Sequence, residues 1–168
     1  MDKFLIKNII ILSLIFGLIP GTLAAVPFLG LLMLIIVVIF SAPIIMLYLI
    51  MDGKLELTTP KDSIITGALI GFCTNITFAA AYCIMIAMLA VFFQYSPNFV
   101  LTAMITNSPI WLIGVFVGFV SVLSATTNAF SGFATYYIIN FIRDMYEKQN
   151  PEITQNKDYY RNKNSKGI

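Results

Sequence analysis

The sequence predicts an all-α polytopic membrane protein, a four-transmembrane-helix bundle with both termini in the cytoplasm, and three observations carry that prediction. Composition is the first: 59% of the 168 residues are apolar, 11% are charged, and the mean hydropathy is +0.89, far from the balance of a water-soluble domain. Charge placement is the second. Neither Asn8 to Met51 nor Ser63 to Ile142 contains an Asp, Glu, Lys or Arg. At roughly 20 apolar residues per crossing, these two stretches have room for about four to six spans. Punctuation is the third: prolines, glycines and capping residues divide the apolar sequence into four lengths.

The first uncharged stretch is interrupted by Pro20-Gly21 and again by Pro27, so it reads as two helices joined by a tight turn, near residues 5–23 and 28–51. Asp52-Gly53 ends the second, and a polar loop runs to Asp62. Thr59-Pro60 has the form of an N-cap followed by proline at the first helical position, and Asp62 is placed to favour the positive end of the helix dipole. A third helix over 60–93 follows, broken by Gln94 to Asn98. Phe99 to Ile105 is too short to cross and is expected to lie along the interface or fold back on the bundle. Ser108-Pro109 is a second cap and proline; it opens a fourth helix over 109–145, with Pro151 as its outer limit. Residues 1–148 therefore form the transmembrane domain, and 149–168 a polar tail expected to be disordered. The tail's end carries Lys157, Arg161, Lys163 and Lys166 against Asp158, a balance that draws it toward anionic headgroups.

Four crossings place both termini and the Asp52 to Asp62 loop on one side. All ten basic and all eight acidic side chains then share that side. Enrichment of Lys and Arg marks it as the cytoplasmic face, here of a bacterial cytoplasmic membrane. Lys3 and Lys7, the apolar run to Ile19, and Thr22-Leu23-Ala24 also have the three parts of a secretory signal peptide. Hydrophobic sequence resumes directly after Ala25, which favours an uncleaved first helix.

Histidine is absent, and neither apolar stretch holds a carboxylate or an amine. An aspartyl dyad, an HExxH zinc site and a membrane carboxylate for proton coupling are thereby excluded. No cofactor, metal or catalytic residue is expected, and the basic run in the tail is too short to argue for nucleic acid. Cys73 and Cys83 fall about 15 Å apart along one predicted helix and cannot pair; they read as small buried hydrophobes. Asn75-Ile76-Thr77 matches the N-glycosylation pattern, but its predicted place deep within a membrane helix removes it from that chemistry.

Small residues mark the expected packing surface. In the fourth predicted helix Gly114, Gly118, Ser121, Ala125, Asn128, Gly132 and Thr135 recur at alternating spacings of four and three, which keeps them on one face. Association in lipid depends on close backbone approach and interhelical hydrogen bonds, and small residues permit both. The third helix carries Gly67 and Gly71, and its GxxxGF pattern at Gly67 to Phe72 returns at Gly114 to Phe119. The first two helices, rich in Ile, Leu, Val and Phe, read as lipid-facing, with a kink at Ser41-Ala42-Pro43. Asn75 and Asn128 fall at the same depth, about 20 Å from the charged boundary at 1.5 Å per residue. Their depths allow them to meet, which reads first as interhelical hydrogen bonding and otherwise as a polar midplane site joined by Thr74, Thr77, Ser124, Thr126 and Thr127.

The functional expectation is a small non-enzymatic membrane subunit that packs through these faces in a homo-oligomer or a larger membrane complex, with the lipid bilayer as its other partner. The alternative is a pore or facilitator that passes water or a small neutral solute along the polar midplane. The short multi-spanning plan with a basic tail is also similar to that of phage-type lysis proteins, in layout alone.

Overall fold

The structure, a computed structural model, describes residues 3–26, 28–55 and 59–149. Among these, all regular secondary structure is helical. Four helices are long and apolar enough to cross a membrane: α1 (Lys3–Leu23), α2 (Leu29–Met51), α3 (Pro60–Phe93) and the greater part of α5 (Ile110–Gln149). A short helix, α4 (Phe99–Asn107), lies between α3 and α5. Pro27 and the tail beyond Gln149 fall outside the described residues, so the expected break at the one and the disorder of the other are not addressed. By contact the chain divides into two compact units, Met1–Phe133 and Ala134–Ile168. The first holds α1 to α4 and most of α5. Of the second, the described part is the end of α5.

Local chemistry accounts for the helix ends. Thr59 caps α3: its Oγ1 accepts from the Asp62 N–H at 3.1 Å and donates to Asp62 Oδ2 at 2.7 Å, and Pro60 occupies the first turn, where a missing N–H leaves nothing unpaired. Gln94 ends α3 in the left-handed region at φ 50°, a conformation common at helix C-termini. Asn98 caps α4 by accepting from the Leu101 N–H at 3.2 Å. That helix packs on α3, so the expected fold-back is what α4 adopts. Pro20 does not break α1; it sits in the last turns, and the Ala24 N–H still donates to the Pro20 carbonyl at 2.8 Å. The polar loop after α2 turns at Gly53, φ 67°, beside an exposed Lys54–Asp52 ion pair.

The first unit buries many polar side chains beside its apolar ones and leaves large apolar side chains outside. Its buried residues include Ser13, Ser41, Ser63, Thr66, Thr74, Asn75, Ser121, Ser124 and Asn128, while Leu31, Val91, Phe119 and Phe130 are largely exposed. A water-soluble domain has the opposite arrangement. Two apolar clusters flank the polar middle: Ile9, Ala42, Ile45, Met46, Leu49, Leu55 and Ile70 toward the Gly53 loop, and Ala24, Val37 and Phe78 toward the other end.

The first helix departs from its lipid-facing expectation. It packs along α3 through Ser13, Gly17 and Gly21, all buried and four residues apart. A Cβ on Gly17 would meet the Thr74 carbonyl oxygen and fall 2.9 Å from the Thr77 Cβ. One on Gly21 would fall 2.6 Å from the Phe78 carbonyl oxygen. Both glycines are therefore required by close approach, not by backbone conformation. Gly21→Ala is expected to lower stability by about 1–3 kcal/mol, the usual range for overpacking, measured as the midpoint of an SDS titration followed by far-UV circular dichroism.

Candidate functional site

The middle of α2 is the irregular point of the fold. Pro43 has no N–H to give the Ile39 carbonyl, and a proline ring crowds the carbonyl four residues before it. The helix responds one turn earlier: Ile36–Phe40 forms a π turn between the regular segments Leu29–Ile35 and Ser41–Met51. A π turn carries one extra residue, so groups near it lose their ordinary i to i−4 partners. In an apolar surrounding those groups need a partner from elsewhere in the protein.

Asn128 of α5 supplies it. The Ala42 N–H donates to Asn128 Oδ1 at 2.9 Å, and Asn128 Nδ2 donates to the Val38 carbonyl at 2.9 Å. Val38 and Ala42 are i and i+4, so the carboxamide is inserted into what would be a single rung of the helix ladder, accepting at one end and donating at the other. Ser41 Oγ also donates to Oδ1 at 2.9 Å, and Nδ2 donates to the Ser124 carbonyl at 3.0 Å and lies 3.4 Å from the Val37 carbonyl. Two donors face Oδ1 and three carbonyls face Nδ2, so only one orientation of the amide satisfies the site. Asn128 is 0% exposed.

This reach depends on close approach of α5 to α3. A Cβ on Gly67 would strike the Asn128 carbonyl oxygen, and one on Gly71 would fall 2.5 Å from the Asn128 Cβ. Gly132 meets the Ser63 carbonyl oxygen in the same way, and Ser63 Oγ donates back to the Gly132 carbonyl. The seam continues with Ser124 Oγ donating to the Gly71 carbonyl at 3.2 Å and Asn75 Nδ2 donating to Ser121 Oγ at 3.0 Å. On α3 the contact residues are Ser63, Gly67, Gly71 and Asn75, at a strict spacing of four.

Several expected members are elsewhere. Asn75 and Asn128 do not bond to each other; Asn75 is one turn further along the seam, with Ser121 as its partner. Thr77, Thr126 and Thr127 do not join the polar centre, because each hydroxyl donates to the carbonyl four residues earlier in its own helix, at about 3.0 Å. That local bond is always within reach of a helical threonine. Gly114 and Gly118 do not touch a neighbour: a Cβ on either meets nothing within 4 Å. Ala125 is half-buried, and Thr135, in the second unit, is buried. Ser41, which completes the centre, was singled out in the sequence only as part of a kink; the adjacent Pro43 is the signal that a partner was needed there. Asn75 is 1% exposed, which agrees with setting aside its glycosylation pattern. Cys73 and Cys83 are free and half-buried.

No side chain in this centre is ionisable, so its chemistry is hydrogen bonding alone. No family model matches the chain, and no curated protein or solved structure resembles it.

Substitution separates the two amides. Asn75→Leu is expected to cost about 0.6 kcal/mol, the average for one interhelical hydrogen bond in membrane systems, and Asn128→Leu roughly 2 kcal/mol, the sum of about three such bonds. SDS titrations of the two variants against wild type check both values.

Proposed function

We propose that this protein is a small non-enzymatic subunit of a homo- or hetero-oligomeric complex in a bacterial cytoplasmic membrane. Four spans cross the bilayer, with both termini and the Gly53 loop in the cytoplasm, and the chain associates with its partner through the outer half of α5 at Gly114 and Gly118. The observation that carries this reading is the division of the small-residue stripe. Its inner members, Ser121, Asn128 and Gly132, are occupied within the chain, whereas Gly114 and Gly118 keep the same spacing with open space before them. In lipid a small-xxx-small face is a device for close helix approach.

The inverted distribution of polar and apolar side chains supports placement in a bilayer. One-sided charge supports the orientation, and the close fit of Gly17 and Gly21 on α3 supports retention of the first helix. A pore through the bundle would need polar groups free to face a path. Asn128 is committed to six polar groups on α2 and α5, and the hydroxyls of Thr77, Thr126 and Thr127 to their own helices, which favours the subunit reading. Among the described residues, Thr74 Oγ1 and Asn75 Oδ1 are the buried midplane atoms left without a partner.

Gly114→Leu combined with Gly118→Leu tests it. The variant is expected to keep the wild-type unfolding midpoint, since neither side chain displaces anything, and to weaken association by about tenfold, equivalent to 1.4 kcal/mol. Photobleaching step counts in liposomes read self-association, and copurification from native membranes reads a second component. A wild-type chain that is monomeric in liposomes and copurifies with nothing overturns the proposal. So does labelling of a Cys at Lys54 by an impermeant maleimide in intact cells while Ser96→Cys stays protected.

A further inference from the structure

The inserted rung in α2 is reversible by construction. Val38 C=O and Ala42 N–H, the two groups separated by the Asn128 amide, are each other's ordinary helical partners. The amide has a second home as well, because Nδ2 already lies 3.0 Å from the Ser124 carbonyl and 3.3 Å from Ser124 Oγ on its own helix. Withdrawal of the amide therefore leaves the Val38 carbonyl, the Ala42 N–H and Nδ2 with partners, while Oδ1 gives up its two donors, a cost that weighs toward the inserted form. Pro43 offers no N–H to Ile39 in either arrangement, but its ring crowds the Ile39 carbonyl more closely once the π turn is gone, so that defect favours the inserted form.

We propose that α2 is a two-state helix. With the Asn128 amide inserted, its halves are offset by the π turn; with the amide withdrawn, Val38 and Ala42 bond directly, and the inner half, Ser41–Met51, advances by one residue. One residue is about 100° of rotation and 1.5 Å of travel. Each inner-half residue then takes the place of its successor: Ile44 moves to the site of Ile45, and Ile45 to that of Met46. Ile44, now 44% exposed, becomes buried, and Met46, now 0% exposed, turns outward. In water such an exchange would be opposed by exposure of apolar surface. Lipid tails are as apolar as the side chains, so on the membrane reading proposed above the opposition from packing is the present fit of Ala42, Met46 and Leu49 in their cluster. The inserted form is accordingly the ground state, and α5 controls the rotation of α2 through one side chain.

The test is oxygen-induced paramagnetic relaxation of Ile and Met methyl groups in protein reconstituted into lipid nanodiscs. Wild-type protein should show an oxygen-exposed Ile44 methyl and a protected Met46 methyl. In Asn128→Ala the order should reverse, with relaxation enhancement falling several-fold at Ile44 and rising at Met46. Ser41→Ala, which removes one donor to Oδ1 in a small-for-small exchange, should keep the fold and show a second set of peaks with the reversed order, so it decides the matter if Asn128→Ala does not fold. A single unreversed set of peaks in the folded variants overturns the proposal. Failure of the membrane reading is distinguishable, since the outward methyls of Ile11, Ile15 and Ile39 would then show no oxygen enhancement even in the wild type.

Discussion

A peptide group surrounded by hydrocarbon has no water to fall back on, and on the proposed placement in a bilayer the requirement that each N–H and C=O find a protein partner bears hardest where α2 cannot meet it alone. Pro43 disturbs the ladder, the π turn absorbs the disturbance, and the Asn128 amide completes the rung that remains open between Val38 and Ala42. An asparagine side chain is short. To lie within 2.9 Å of two backbone groups on α2 it must be carried by a helix that is itself very close, and that closeness is what Gly67, Gly71 and Gly132 provide. The glycines, the amide and the proline are thus one arrangement. Bulk at any of the three glycines moves α5 outward and leaves the Ala42 N–H and Val38 carbonyl to each other or to nothing.

On the same proposed placement, the many polar side chains buried beside the apolar clusters of the first unit have a physical reason. Where lipid solvates the outside of a bundle, burying a leucine gains little over leaving it outside, and association rests on close packing and hydrogen bonds between helices. Ser63 with Gly132, Ser124 with Gly71 and Asn75 with Ser121 are such bonds, spaced two turns and then one turn apart along the α3–α5 seam. Each adds little in free energy, but each also fixes register, because a shift of one residue would separate all of them together. The α1–α3 contact uses the other device, backbone approach at Gly17 and Gly21.

Much of the fold was legible because charge-free length and capping residues are local properties: the Thr59-Pro60 cap and the four apolar lengths follow from neighbouring residues, whereas Phe99 to Ile105 read as an irregular piece and is a helix capped by Asn98. The site was legible in part. Asn128 stood out as the most polar member of a small-residue stripe, and the kink at Pro43 was expected, but nothing local says that one repairs the other across more than 80 residues of chain. Thr77, Thr126 and Thr127 misled for a definite reason, since a helical threonine satisfies itself on the carbonyl four residues back and need not seek a neighbour. The glycine motifs show the limit most plainly. Gly67 to Phe72 and Gly114 to Phe119 share the GxxxGF pattern, yet one is covered and the other open. Spacing defines a face; what lies opposite is decided by the other helices. Gly17 and Gly21 made the reverse case, where an Ile- and Leu-rich context concealed a packing face.

That contrast between the two motifs bears on the kind of association proposed for the outer half of α5. Within the chain, small residues act together with polar ones, so approach and hydrogen bonding reinforce each other at every turn of the seam. Around Gly114 and Gly118 the neighbouring side chains are Trp111, Val115, Phe119 and Val122, all exposed and apolar, and the one hydroxyl in that stretch, Ser121, is buried and bonded to Asn75 and the Val117 carbonyl. A partner helix there would gain van der Waals contact but little directional bonding. Such contacts are weaker and more tolerant of small changes in register than the seam that holds the bundle. The directional groups of the α3–α5 seam go mostly to the chain's own fold, and the face left over suits a partner that joins an already finished bundle.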